Sequence, residues 1–350
     1  MLCALITVNV VNYRPKFSVT VTLLSCICFV FAMSYNYSNF TQFGIEDNGE
    51  RYGWASWLVF VIISSLLGDT TILIGSIKYK AFRLHKIIVA FIQHLAVCDL
   101  LITVGTLVYT LVHLISNSGG SSKIIQYLQF LIIYHSYSVS STLVSAMALS
   151  KLVLLKYPLR TGSWSARQAH KFCAGIWIAC ISVPALPLFV DRNDIIFDYR
   201  VYAYTYKFSS DLWKILLPIF AALTLFLPNI ILIVSTVLLL KEAMRVAKGA
   251  HQPLRWQGIT TVLLTATVHI VSFAPLTVYH IAEPFVEKNP SAPGPFYLKF
   301  YRISGAILDV SVLANFFVYS LTVTSFRSFL KKRFSKTISF LSSTKICQGN

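Results

Sequence analysis

The chain has 350 residues, of which 56% are hydrophobic and only 12% charged, and its mean hydropathy is +0.67. A soluble domain carries about 25% charged residues, so this composition excludes an ordinary water-soluble fold. The net charge of +17 does not point to nucleic acid either, because the cations lie in short loops between apolar runs and join no polar domain.

In chain order, residues 17–33 form a short apolar run after Arg14 and Lys16. The pattern reads as a secretory signal peptide, with Val30 and Ala32 as the small residues before a cut. The alternative is an eighth, uncleaved helix. Residues 34–53 follow as a polar segment with two overlapping glycosylation sequons, at Asn36 and Asn39. Seven long apolar runs come next, at about 54–77, 86–115, 122–155, 169–190, 211–240, 256–282 and 298–321. About 20 such residues cross a 30 Å hydrocarbon core. The fold class predicted is an all-α seven-transmembrane helix bundle, with 54–325 as the membrane domain and 326–350 as a tail.

The loops at 78–86, 156–171 and 241–255 and the tail together hold 18 Lys/Arg and one acid, Glu242. The opposite set, at 34–53, 114–124, 190–214 and 282–302, holds nine Lys/Arg and nine acids. Positive loops are retained in the cytosol, so the amino-terminal segment is expected outside and the tail inside. Both sequons then fall on the outer face. The expected location is the plasma membrane, crossed several times. Seven cysteines are present, but none lies in an expected outer loop, so no disulfide framework follows.

Within the runs, Asp69, Asp99, Asp309 and Lys151 are the charges left after the loops are counted. Each costs about 2.5–3.5 kcal/mol at mid-bilayer on insertion scales, so each needs a partner or a water-filled cavity. Three acids at similar depths point to a shared polar centre, with Ser140, Ser311 and Asn315 as polar neighbours. A bound cation such as sodium fits that centre; no other cofactor and no metal cluster is expected. His-rich or Ser/His/Asp clusters are missing, so an enzyme is not expected.

The ordered motifs resemble the rhodopsin-like G-protein-coupled receptors. LAVCDLL (95–101) resembles the second-helix Leu-Ala-x-x-Asp-Leu, and Gly68-Asp69 stands where the family has Gly-Asn. Counting back from Pro158-Leu159 puts Ser150, Lys151 and Leu152 in the places of the third-helix Asp-Arg-Tyr. Trp177 and Pro228 match the fourth-helix tryptophan and the fifth-helix proline. Phe273-Ala274-Pro275 resembles the sixth-helix Trp-x-Pro, and Asn315 through Tyr319 resembles Asn-Pro-x-x-Tyr with Phe316 in place of proline. SFRSFLKKRF (325–334) resembles the short membrane-surface helix that follows. The outer cysteine of the third helix is absent, with Gln126 near that place.

The resemblance implies an extracellular ligand held among the outer helix halves and a heterotrimeric G protein at the inner side. By aligned position, Ile133, Tyr134, Tyr137, Leu276, His280 and Asp309 are pocket candidates. Ile133 replaces the acid of amine receptors and Asp309 the lysine of opsins, so neither an amine nor retinal is expected. Ser150, Lys151, Leu152, Arg255, Phe273, Pro275 and Tyr319 are the expected switch and G-protein contact. The losses around Lys151 keep a non-signalling decoy or partner subunit open as an alternative. A transporter is a third reading, although no paired repeats are visible. Expressed in mammalian cells, the protein should lose mass on glycosidase treatment, and Asn36→Gln with Asn39→Gln should abolish that shift. A tail epitope that stains without permeabilisation would overturn the orientation.

Overall fold

The structure, a computed structural model, describes residues 48–78, 82, 84–108, 110–111, 123–157, 165–190, 195–198, 203–206, 219, 222–249, 256–286, 295–333 and 335. The signal-like run, Asn36, Asn39 and Arg255 lie outside the described residues, as does the side chain of His280.

Seven long helices follow the apolar runs: α1 (Asn48–Ile77), α2 (Lys86–Ile102), α3 (Lys123–Lys156), α4 (Ala166–Val190), α5 (Leu227–Gly249), α6 (Trp256–Val286) and α7 (Pro295–Thr322). A short helix, α8 (324–333), ends the described chain. Five of them, α1, α2, α3, α6 and α7, contain stretches long and apolar enough to cross a membrane. At 25 and 23 residues, α4 and α5 also reach roughly 35 Å. Hydrocarbon offers the backbone no hydrogen-bond partner, so each crossing must satisfy its own peptide groups, and the helix does so.

Local chemistry sets several ends. Before α4, Ser165 and Gln168 form a reciprocal cap: the Ser165 N–H donates to Gln168 Oε1 at 2.8 Å, and the Gln168 N–H donates to Ser165 Oγ at 3.2 Å. His85 caps α2 through Nδ1. At its C-terminal end, α2 loosens into a π-helical turn over Thr103–Leu107, and another, Ala222–Phe226, precedes α5.

Two differences from the sequence expectation are physical. The stretch 241–249, counted as loop, continues α5 as helix. Its Lys, Glu, Ala, Met and Arg are strong helix formers, and Arg245 pairs with Glu242 three residues earlier at 2.5 Å. Polarity there marks the membrane boundary and not the end of the helix. The segment 190–214 contains an antiparallel hairpin, β1 (Ile195–Asp198) with β2 (Ala203–Tyr206), paired Ile195 to Tyr206 and Asp198 to Ala203; β1 touches α3.

Helix α3 is the hub, in contact with α2, α4, α5 and α6, while α7 packs on α6 and α1. The lipid side is apolar, with Phe60, Ile63 and Leu67 on α1 and Ile230, Val234 and Val237 on α5 exposed. Small residues allow the closest approaches. A methyl group at Gly105, in the π turn, would meet Ile132 Cγ2 of α3 at 2.7 Å, whereas one at Gly175 meets nothing within 4 Å. Gly105→Ala should therefore lower the thermal midpoint of the purified protein, since overpacking costs about 1–3 kcal/mol. Gly175→Ala should hold or raise it, by helix propensity alone. Equal shifts for the two would contradict this packing.

Candidate functional site

In a helix, residues i and i+4 share a face, and α1 uses that spacing to set Ser65 beside Asp69. Both carboxylic acids of the inner bundle, Asp69 and Asp99, are buried. Asn315 of α7 donates from Nδ2 to Asp99 Oδ2 at 2.6 Å. Thr103, in the π turn of α2, donates to the Asp99 carbonyl at 2.8 Å. Its Oγ1 lies 2.6 Å from Ser65 Oγ, which lies 2.8 Å from Asp69 Oδ2. A continuous polar link thus joins α1, α2 and α7.

Hydrogens are scarce in this link. With Thr103 committed to the carbonyl, Ser65 has one hydrogen for two acceptors, the Thr103 hydroxyl and the Asp69 carboxyl. Asp69 Oδ1 is buried and unbonded as well. A proton on Asp69 supplies the missing hydrogen and removes one of two like charges from a dry site. Ser140 is buried on α3, one turn beyond Ser136, whose carbonyl takes the Cys98 thiol at 2.9 Å. Ser311 spends its hydroxyl on the Leu308 carbonyl at 2.7 Å, so it adds no donor to the carboxyls.

Aromatic packing fills the middle of the bundle. Phe273 of α6 is buried with Leu308 of α7, and Tyr137 and Leu276 pack on that pair. Tyr137 meets the Phe273 ring edge-on at 5.9 Å. Trp57 of α1 approaches the Asp309 carboxyl without closing a hydrogen bond. Two of the pocket candidates, Tyr137 and Leu276, are therefore brought together. Tyr134 instead packs on Phe130 at 4.3 Å, and Ile133 is half-buried.

Near the C-terminal end of α3, Lys151 reaches to α6. A methyl group at Gly258 would lie 3.3 Å from its Nζ and one at the same place 3.7 Å from Leu84. Burial first, then the charges of Lys151 and Lys86, hold the His85 imidazole below its ordinary range. Ser150 beside it is half-buried and carries no charge to pair with the ammonium. Leu152 faces a different groove, between α3 and α5. Tyr319 packs edge-on against Phe82 at 5.7 Å, and Phe82 stacks on Phe326 of α8 at 4.7 Å. Gly68 and Gly75 of α1 admit Phe316 and Phe326 to within 3.0 and 3.1 Å of where a methyl would stand. The hydroxyls of Thr261 and Thr322 close α6 on α7 at 2.9 Å.

The family model described as 7 transmembrane receptor (rhodopsin family) matches residues 70–325. The chain belongs to that family. It is a multi-pass membrane protein of receptor type, and the transporter reading falls away.

The receptor also contains a contact the sequence did not disclose. His269 stacks on Phe273 at 3.9 Å and its Nε2 lies 3.0 Å from Ser141 Oγ, all buried. This is a polar tie between α3 and α6 directly beside the aromatic layer. A histidine inside an apolar run was the available signal, since a buried imidazole in lipid needs a partner. Counting only Asp and Lys passes over it. Likewise Ser65 and Thr103 are too ordinary as residue types to stand out from sequence.

For the polar link, Asp69→Asn keeps a donor where the link lacks a hydrogen and removes the second carboxyl. It should leave surface expression unchanged or raise it. Asp99→Asn disturbs the acceptor of Asn315 and should reduce thermal stability by about 1–3 kcal/mol, the cost of leaving a buried polar group badly paired. Surface expression lost with Asp69→Asn and kept with Asp99→Asn would refute the pairing.

Proposed function

We propose that this receptor sits in the plasma membrane with its amino-terminal side outside, binds an extracellular ligand among the outer helix halves, and signals weakly to a heterotrimeric G protein. The family supplies the general role, and the site residues supply the qualification. The Tyr137, Leu276, Phe273 and Leu308 layer is the region where ligand contact would bear on α6 and α7. The polar link is suited to a proton, or to a cation such as sodium held by Asp69 Oδ1 and the Asp99 carboxylate.

The observation that carries the weak-signalling reading is Lys151 lying over Gly258. The family's arginine at this place is held by an adjacent acid and often by an acid at the inner end of the sixth helix. Here the neighbour is Ser150, and Arg255 stands three residues before Gly258. Two like charges about 6 Å apart repel by about 2–3 kcal/mol at an effective dielectric of about 20, and by less once salt enters. The closed packing therefore lacks its ionic clamp. Lysine also lacks the planar fork of arginine, so its grip on a G protein is weaker. The closed state is less favoured and the open state holds its partner less firmly. A second reading, a receptor-shaped protein that does not signal, rests on the same departures.

A ligand-free second-messenger assay in cells expressing the full chain separates the two. A low basal signal that Lys151→Ala removes supports the signalling receptor, and no basal signal at matched surface expression supports the silent one. Arg255→Glu creates a partner for Lys151, favours the closed packing and should lower the basal signal several-fold. A rise would mean that the two side chains do not face each other.

A further inference from the structure

Two imidazoles face each other between α2 and the first turns of α4. His94 Nε2 lies 3.1 Å from His170 Nδ1, and the ring centres are 5.3 Å apart. The two residues stand 76 positions apart in the chain, so no spacing in the sequence announces the pair. Phe91 of α2 and Phe172 of α4 meet edge-on at 6.2 Å in the same contact between the helices.

Left to itself the pair makes one hydrogen bond, a ring N–H of one histidine donating to the lone pair of the other. The same two nitrogens also suit a metal ion. At a Zn–N distance of about 2.0–2.1 Å and a tetrahedral angle, two imidazoles set their nitrogens about 3.3 Å apart and their ring centres about 5.2 Å apart. The ring centres are already at that separation, so a pivot of each ring in place turns both lone pairs onto one point. Imidazole is a ligand for zinc and copper ions, whereas magnesium and calcium require oxygen.

The pair is also within reach of water. His170 is exposed and lies four residues after Ala166, about 6 Å of rise from the capped start of α4. Lys86 of α2 and Arg167 and Lys171 of α4 are exposed towards the same ends of their helices, and they mark the polar edge of the membrane layer. These cations weaken the attraction of a further cation, so lone-pair donation by the rings must supply the binding. Among the described residues no third His, Cys, Asp or Glu completes a cluster, which leaves the other coordination positions to water.

We propose that His94 and His170 form a two-ligand site for a divalent transition ion of the zinc and copper class, which ties α4 to α2. The ion takes the place of the shared hydrogen, and the ring that held that hydrogen carries it on its other nitrogen. Because α4 already packs on α2, the ion adds a coordinate link to an existing contact and stabilises the bundle. The site depends neither on the orientation of the chain nor on its signalling.

The full-length receptor, purified in nanodiscs with its affinity tag cleaved, tests this with zinc chloride. Wild type should bind one zinc ion that a chelator removes, and its thermal midpoint should rise with zinc by mass action. Magnesium chloride at the same concentration should leave the midpoint where it was. His94→Gln and His170→Gln should each weaken zinc binding about tenfold or more, since even an outer partner of a metal ligand is worth about that much. His85→Gln, a change at an exposed histidine beside the start of α2, should bind as wild type. Copper loaded in place of zinc should show coupling to two ring nitrogens in the electron spin resonance spectrum of wild type, and to one in either variant. That spectrum reads ligation directly, so it stands even where a substitution lowers stability. Zinc affinity unchanged in both histidine variants, equal stabilisation by magnesium, or a copper spectrum of wild type without two nitrogens would each overturn the proposal.

Discussion

Two buried carboxyls tied through a pair of hydroxyls constrain the inner half of this receptor. Asp69 and Asp99 are buried, and the bonds around them help to join α1, α2 and α7. In hydrocarbon an unpaired polar group costs several kcal/mol, so these contacts cannot be given up one at a time. The π turn at Thr103–Leu107 belongs to the same constraint. It places the Thr103 hydroxyl where it serves both the Asp99 carbonyl and Ser65. It also carries Gly105, whose missing side chain lets Ile132 of α3 come close.

Around that link, shape replaces charge. The inner surface of α1 has Gly68 and Gly75, and aromatic rings from α7 and α8 occupy the space they leave. Phe82, from the loop after α1, is enclosed by Tyr319 and Phe326. Ring contacts of this kind contribute about 0.5–1.5 kcal/mol beyond their burial. They fasten α8 to the bundle while its outer face keeps Lys331, Lys332 and Arg333 in the polar layer. On the opposite side, α6 meets α3 through His269 against Ser141, Phe273 against the Tyr137 ring, and Lys151 over Gly258.

The sequence made the seven helices legible because hydrocarbon leaves no other structure for a 20-residue apolar run. It made Asp69, Asp99 and Asn315 legible because acids in such runs are costly enough to be informative. It was silent where the decisive quantity is pairing between distant segments. The hairpin at Ile195–Asp198 depends on its register with Ala203–Tyr206, and neither strand alternates clearly enough to announce itself. The inner turns of α5 depend on helix propensity after the apolar signal has ended. Ser311 looked equivalent to Ser140 as a neighbour of the acids, yet rotamer choice turned its hydroxyl onto its own helix. His269 carries no charge when neutral, so its partner Ser141, far off in the chain, is set only by the packing of α3 on α6.

Phe316 carries a further mechanical consequence. Where the family has a proline, α7 has an ordinary residue, and the helix runs without interruption from Pro295 to Thr322. Proline removes a backbone donor and loosens the turn before it, so a helix without one has no built-in joint there. Pro275 remains in α6. Of these two helices, α6 keeps a proline and α7 has none after its first residue. Without such a joint, α7 and α8 form a strut braced on α1 through Phe316 and Phe326.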